Sequence, residues 1–191
     1  HTYREVYYRT LFTRITTREP LEAETFNSFE LPKESKRVRF GRGYTYPSRF
    51  VYSADLSSAT DCVNHDLVSH ICILMNIDKD LVFVPGDTRG ISMGMPMSWT
   101  ILSWIHDSIA AFVSGYRDDY RLKGDDLLAY WTERQIRLYE RLMTSAGFVL
   151  NKSKSFCSRS AGVFCEEAWI LKDLTLHRVL KRYVPLKWIA K

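Results

Sequence analysis

Hydrophobic and polar positions change their spacing several times along the 191 residues, and each change marks an element. Over 1–26, Val6, Tyr7, Leu11, Phe12 and Ile15 recur near helical spacing with Arg4, Arg9 and Arg14 between them, which predicts a basic amphipathic helix. Residues 27–49 are polar and basic and hold Pro32, Gly41, Gly43 and Pro47, the composition of a long loop. Phe50 to Ala54 is short, apolar and β-prone, a strand running straight into Asp55. The small and hydroxyl residues of 53–61, SADLSSATD, break that pattern; Ser57, Ser58 and Thr60 suit turns and helix caps. Over 63–75 Leu67, Ile71, Leu74 and Met75 form one buried helix face.

A Gly/Ser/Met-rich loop at 85–98, PGDTRGISMGMPMS, precedes a strongly apolar helix at 99–113. The stretch 119–131, DYRLKGDDLLAYW, reads as a β-hairpin with Gly124 at its tip and a second strand buried on both faces. Ile136, Tyr139 and Met143 mark an amphipathic helix over 133–146, closed by Gly147 at the C′ position. Strands are predicted at 148–150 and 156–157, a basic turn at 151–155, a β-turn-β element at 162–166, and a strand then a helix over 168–191. The resulting class is α+β, an antiparallel sheet with helices packed on one face.

Composition narrows this picture a little. With 46% hydrophobic and 26% charged residues the chain can bury one substantial core. The net charge of +5 is compatible with a polyanionic partner without demanding one. No run of 18 apolar residues predicts a membrane span, and no signal-peptide pattern opens the chain. Cys62, Cys72, Cys157 and Cys165 include no C-x-x-C pair, so they read as reduced thiols rather than a zinc site or disulfide framework. The start at His1 and the stop at Lys191 inside a basic-aromatic run give the expectation of a piece of a longer protein.

The candidate chemistry lies in the carboxylates. Asp125 and Asp126 are adjacent at a hairpin tip, where like charges are unfavourable unless a cation sits between them. Hard oxygen ligands suit Mg²⁺, which takes one or two carboxylates together with substrate phosphates. The plain alternative is an Asp-rich turn. Asp55 ends a strand, and in an antiparallel sheet that strand end can neighbour the hairpin tip. Such an acidic pocket in a basic chain is the setting for two-metal phosphoryl chemistry, with a nearby lysine to protonate departing pyrophosphate. Lys33, Lys36, Arg37, Arg39 and Arg42, interleaved with Phe40, Tyr44 and Tyr46, could grip phosphates and bases, or could be a solvated loop. His65 and His70 are read as structural or exposed rather than as metal ligands.

The series SADLSSATD, RGISMGMPMSWT, LKGDDLLAYW, GFVLNKSKSF and GVFCEE resembles motifs A to E of a viral RNA-dependent RNA polymerase palm, in order, over about residues 51–167. Its variants are similar to those of narnaviruses and the related mitoviruses, ourmia-like viruses and RNA phages. The resemblance implies a polymerase palm with an RRM-like core. It implies NTPs, an RNA template and nascent RNA as substrates, and two Mg²⁺ ions as cofactor, with Mn²⁺ as an alternative. Asp55 and Asp125 become metal ligands, with Asp126 in support. Asp61 is implied near the ribose 2′-OH, Ser92 to Ser98 as the motif B loop with Gly94 as pivot, and Lys154, or Lys152 as second choice, as general acid. Phe164, Cys165 and Glu166 would line the 3′ end of the growing strand. The family's motif B asparagine falls on Leu102 here, leaving Ser103 or His106 as substitutes. Its triphosphate-binding basic strand usually lies farther upstream than 33–42.

On this reading residues 1–50 are a basic helix and loop at the junction of fingers and palm, 51–167 the palm, and 168–191 the start of a thumb or a palm extension. The rest of the fingers and thumb would belong to the parent chain. Replication would take place in the host cytoplasm, with the mitochondrion as the alternative. A reverse transcriptase shares the palm, but Lys123-Gly124 before the aspartates and a retained Asp61 argue against it. A non-catalytic RNA-binding palm remnant is the reading from another class; intact Asp55, Asp61, Asp125, Asp126 and Lys154 argue against decay.

Overall fold

The computed structural model describes residues 28–31, 38–40, 43–45, 48–115 and 118–179. The chain runs β1 (Ser28–Glu30), β2 (Val38–Phe40), β3 (Gly43–Thr45), β4 (Arg49–Ala54), β5 (Leu56–Ser57), α1 (His65–Met75), a 3₁₀ turn (Lys79–Leu81) and α2 (Ser98–Ser114). It continues with β6 (Tyr120–Lys123), β7 (Asp126–Thr132), α3 (Glu133–Ser145), β8 (Val149–Leu150), β9 (Phe156–Ser158), β10 (Ala161–Phe164), β11 (Glu167–Lys172) and β12 (Thr175–Arg178). The class is α+β, and every strand pairing is antiparallel. No helix of the described residues is long and apolar enough to cross a membrane.

The central sheet has the order β6-β7-β4-β9. Strand β7 lies at its middle, and its seven residues, DLLAYWT, are almost continuously apolar because both faces are covered. Leu127, Ala129 and Trp131 point to one side and join the core formed with α1, α2 and α3; Leu128 points to the other and joins Val51, Trp169, Leu176 and Leu31. The side-chain period of two thus splits one strand between two cores. Leu127, Leu128 and Trp131 are each fully buried, worth on the order of 2 to 3 kcal/mol apiece. The expectation of helices on one face holds, and the second face is covered by a further sheet of order β1-β12-β11-β10. Gly162 on β10 sits where any Cβ would overlap Leu128 and Val51, so this sheet lies directly on β4 and β7. Val163 N–H also donates to Ser53 Oγ at 2.8 Å.

The register of β4 on β7 is pinned from the far end. Arg49 Nη1 donates to Asp119 Oδ2 at 2.9 Å and to the Tyr130 carbonyl at 2.8 Å. Asp119, fully buried, also accepts from Trp131 Nε1 at 3.0 Å. A buried carboxylate satisfied by an arginine and an indole tolerates no slip, since one residue of slip would leave an unpaired buried charge. With Arg49 opposite Thr132, Ala54 falls opposite Leu127.

Two expectations need correcting. Residues 27–49 are not one long loop, because β1, β2 and β3 form within them; the many cations mask short β-prone triplets such as Val-Arg-Phe and Gly-Tyr-Thr. The segment after 167 forms no helix as far as Val179. Trp169 is buried and Ile170 exposed, an alternation that belongs to a strand, and β11 returns as β12 through Asp173-Leu174 with both residues at positive φ. An Asp-Leu pair is a poor hairpin signal, so the turn was illegible beforehand. Residues 180–191 and the helix expected over 1–26 lie outside the described residues.

Candidate active site

Because β4 and β7 are antiparallel, the end of β4 lies beside the start of β7, and Asp55 therefore neighbours the Gly124-Asp125 tip. The tip is a two-residue connection, with Lys123 opposite Asp126. Gly124 has φ +59, and Asp125 is not left-handed. Positive φ at the first central position alone is the requirement of a type II′ turn, which Gly-Asp satisfies in that order. Asp126 feels both neighbours. Its carboxyl is pushed up to about 6 by partial burial and by the Asp125 and Asp55 carboxylates, against a Cys165 N–H bond and the Lys154 ammonium. Asp126 thus lies within electrostatic reach of Asp125, Asp55 and Lys154 and beside the Cys165 backbone.

Asp55 is held by the 151–155 turn. Asn151 Nδ2 donates to Asp55 Oδ2 at 3.0 Å, Asn151 N–H donates to the Asp55 carbonyl at 2.9 Å, and the Asp55 N–H donates to Ser155 Oγ at 3.2 Å. Lys154 Nζ lies 3.6 Å from Asp55 Oδ2. That lysine is 67% exposed, so the pair adds less than about 1 kcal/mol to stability. Lys154, rather than Lys152, makes the ion pair. Asn151 and Ser155 were missed in the sequence. The signal was present, since Asn151 Oδ1 accepts from Ser153 N–H in a local turn typical of Asn-x-Ser, but nothing in the sequence says which strand the turn faces.

Asp61 is exposed on the turn after β5. The cap of α1 is Asn64, whose side chain accepts from Asp66 and Leu67 N–H, so Asp61 has no capping duty. The glycine-rich loop docks on the same turn through Gly90 N–H to the Val63 carbonyl at 3.1 Å and Ile91 N–H to the Thr60 carbonyl at 2.9 Å. Gly90, at φ +79, packs so tightly on the Asp61 backbone that any Cβ would overlap it. Steric need for glycine therefore sits at Gly90, whereas Gly94 lies in open space. Ser92 and Gly94 are exposed. Ser98 is buried and its hydroxyl donates within the loop, to the Met95 carbonyl at 2.9 Å and the Met93 carbonyl at 3.2 Å. His65 bonds the Gly90 carbonyl through Nε2 and stacks near Phe83, the structural role expected of it.

The residues at and near the motif B asparagine position are all buried. Leu102 is buried core and Ser103 is buried. His106 is engaged behind the hairpin tip by the Gly124 carbonyl at Nδ1 and Tyr139 Oη at Nε2, so its ring does not serve Asp61.

Cys165 and Glu166 form the two-residue turn between β10 and β11, at φ +50 and +60. The Cys165 N–H donates to the Asp126 carboxylate, and its thiol bonds the same group. Burial and then the Asp126 charge push the Cys165 thiol up to about 11, so it stays protonated. Phe164 packs edge-on to Trp169 with ring centroids 6.4 Å apart, and is committed to the second core. Arg39 lies on β2, while Lys36 and Arg37 fall outside the described residues.

Among the described residues no three Asp, Glu, His or Cys side chains form a ready-made metal cage. The donors are all carboxylate oxygens from two chain segments, a set that underfills an ion's shell on its own. This chemistry fits Mg²⁺, whose remaining positions are taken by water and phosphate oxygens.

No protein-family profile matches the chain. It is 28% identical over 172 residues to the RNA-directed RNA polymerase of Saccharomyces 23S RNA narnavirus, an alignment covering 70% of this chain and 18% of that protein. It is 34% identical over 111 residues to the RNA-directed RNA polymerase of Saccharomyces 20S RNA narnavirus, covering 50% of this chain and 13% of that protein. The chain thus spans less than a fifth of the length of either relative.

Proposed function

We propose that this chain is the palm of an RNA-directed RNA polymerase of narnavirus type, acting within a longer protein that replicates a positive-strand viral RNA. The observation that carries the reading is the convergence of Asp55, from the end of β4, with Asp125 and Asp126, from the β6–β7 tip. The similarity to two narnavirus polymerases supports it. Mg²⁺ held by Asp55 and Asp125 would activate a 3′-hydroxyl and stabilise the leaving pyrophosphate oxygen. The chain's own groups do the rest. Asn151 fixes the orientation of the Asp55 carboxylate. Lys154 keeps a proton within reach of that carboxylate, where a departing pyrophosphate can take it. Asp61, exposed beside the glycine-rich loop, is available to accept a hydrogen bond from a ribose 2′-OH. Asp126 holds the Cys165 turn against the tip.

The test is incorporation of labelled NTPs on a short RNA template by the full-length protein, with Asp125→Ala as control. Synthesis that requires RNA and Mg²⁺, prefers NTPs to dNTPs and disappears in the variant is the expected result. Equal use of dNTPs would point to a reverse transcriptase. Salt-sensitive RNA binding without synthesis, unaffected by Asp125→Ala, would reduce the chain to an RNA-binding module.

A further inference from the structure

The Gly124–Asp125 peptide is the middle peptide of a two-residue turn. Flipping it converts a type II′ turn to type I′, changing ψ at Gly124 and φ at Asp125, and so re-aims the Asp125 side chain while the ladder on either side stays paired. Glycine permits both states. Nothing in the β6–β7 ladder chooses between them, because the ladder ends at Lys123 and Asp126.

The second state would also force Asp125 to a positive φ, which already disfavours it, and the choice is reinforced from behind. His106 lies in the third turn of α2, with no exposed surface. Its Nδ1 is 2.8 Å from the Gly124 carbonyl, and its Nε2 is 2.6 Å from Tyr139 Oη on α3. The carbonyl only accepts, so Nδ1 carries the proton, and in the neutral ring Nε2 then accepts from the tyrosine hydroxyl. Tyr139 is itself fully buried and set by ring contacts to Trp131 and Tyr52, at centroid distances of 5.4 and 6.0 Å. Trp99, on the first turn of the same helix, lies where any Cβ on Gly124 would overlap its ring.

We propose that His106 is a positioning residue for Asp125: by donating Nδ1–H to the Gly124 carbonyl it holds the tip peptide in the one orientation that sets Asp125 beside Asp55. This rests on the polymerase reading for what the carboxylates do, but the positioning itself is a property of the chain. Tyr139 fixes the imidazole tautomer, as an outer partner fixes a ligand group in a metal site. Burial holds the ring neutral, with its pKa lowered to about 4, so the donor is present throughout the ordinary pH range.

The test uses the full-length protein with Mn²⁺ as probe, its binding followed by electron paramagnetic resonance without RNA or nucleotide. His106→Leu removes the donor, His106→Asn keeps an N–H near the Nδ1 position, and Tyr139→Phe removes only the hydroxyl. Met143→Ala, a fully buried residue on α3, is the control for loss of stability alone. His106→Leu is expected to weaken Mn²⁺ binding about tenfold and to raise the Mg²⁺ requirement for synthesis in proportion. Tyr139→Phe should move both quantities the same way by less, and His106→Asn should recover most of the loss. Should His106→Leu not fold, the Tyr139→Phe and His106→Asn pair decides the matter. Variants that melt earlier, as Met143→Ala does, yet bind Mn²⁺ as the wild type does would overturn the proposal and leave the polymerase reading intact. A wild type that makes no RNA, but whose Asp125-dependent Mn²⁺ binding weakens in His106→Leu, would sink the polymerase reading and uphold the positioning.

Discussion

Two tight hairpin turns meet at Asp126, and they are built on opposite principles. The β6–β7 tip, Gly124-Asp125, uses a glycine where the backbone must be left-handed and is backed by buried groups from two helices. The β10–β11 tip, Cys165-Glu166, puts two side-chain-bearing residues at positive φ and attaches to the site through hydrogen bonds from Cys165 to Asp126. The first turn is over-determined by packing. The second stores backbone strain, of order 1 kcal/mol or more per residue, and depends on the first for its anchor. The Asp125 carboxylate is carried by the rigid tip.

The sharpest way to break this contrast is to attack the rigid tip through His106. Burial lowers its folded pKa to about 4 from an ordinary 6.5. The unfolded chain therefore binds the extra proton first as pH falls. The stabilisation is whole above pH 6.5 and is lost progressively down to pH 4, to a total of about 3 kcal/mol. Asp126 works in the other direction. Its folded pKa is raised to about 6, so its protonation in mild acid relieves repulsion at the site. Between about pH 6 and pH 4 the two effects nearly offset, so hydrogen exchange of the 120–132 segment should change little in the wild type. In His106→Asn only the Asp126 effect remains and protection should rise as pH falls, so the difference between the two slopes isolates the imidazole. Equal slopes would mean that the ring is not the acid-sensitive anchor.

Gly124→Ala comes next in size. The alanine must carry a positive φ whether or not the turn flips, at a cost of about 1 to 2 kcal/mol, and its methyl displaces the Trp99 ring. A loss of about 2 kcal/mol in the local stability of the hairpin is expected from hydrogen exchange, together with weaker Mn²⁺ binding. Trp99 is 41% exposed and can swing aside. The strain at φ +59 then remains, which is why the substitution is expected to cost more than ring displacement alone.

How much of this was legible in the sequence divides along the same line. The Gly124-Asp125 tip, the two-sided burial of 127–131 and the α3 boundary with Gly147 at C′ could all be read, because period, glycine position and apolar runs are local signals. The Asp173-Leu174 turn could not, since its conformation is imposed by pairing β12 with both β11 and β1. Asn151 and His106 share that limit. Each is an unremarkable polar residue in its own segment, and it acts on a strand end or turn from which 96 or 18 residues separate it. Asp55, Asp125 and Lys154 were found through motif spacing, which carries information about tertiary neighbours that helical or strand periodicity lacks.

The smallest effect is expected at the strained turn, and it has the opposite sign. Glu166 sits at φ +60 in a two-residue turn between Phe164 and Glu167. A glycine there adopts the same backbone without the Cβ clash. It also makes the unfolded chain more flexible, so the relief is partly cancelled. The net expectation for Glu166→Gly is a gain of about 0.5 kcal/mol, read as slower exchange of the 161–171 amides, with Mn²⁺ binding unchanged because the Cys165 bonds to Asp126 remain. The same substitution at Cys165 would relieve similar strain but delete the thiol contact, so the two variants separate strain from anchoring. If Glu166→Gly instead loosened the turn, the left-handed backbone there would be held by the glutamate side chain, and the contrast between a packed tip and a strained one would have to be redrawn.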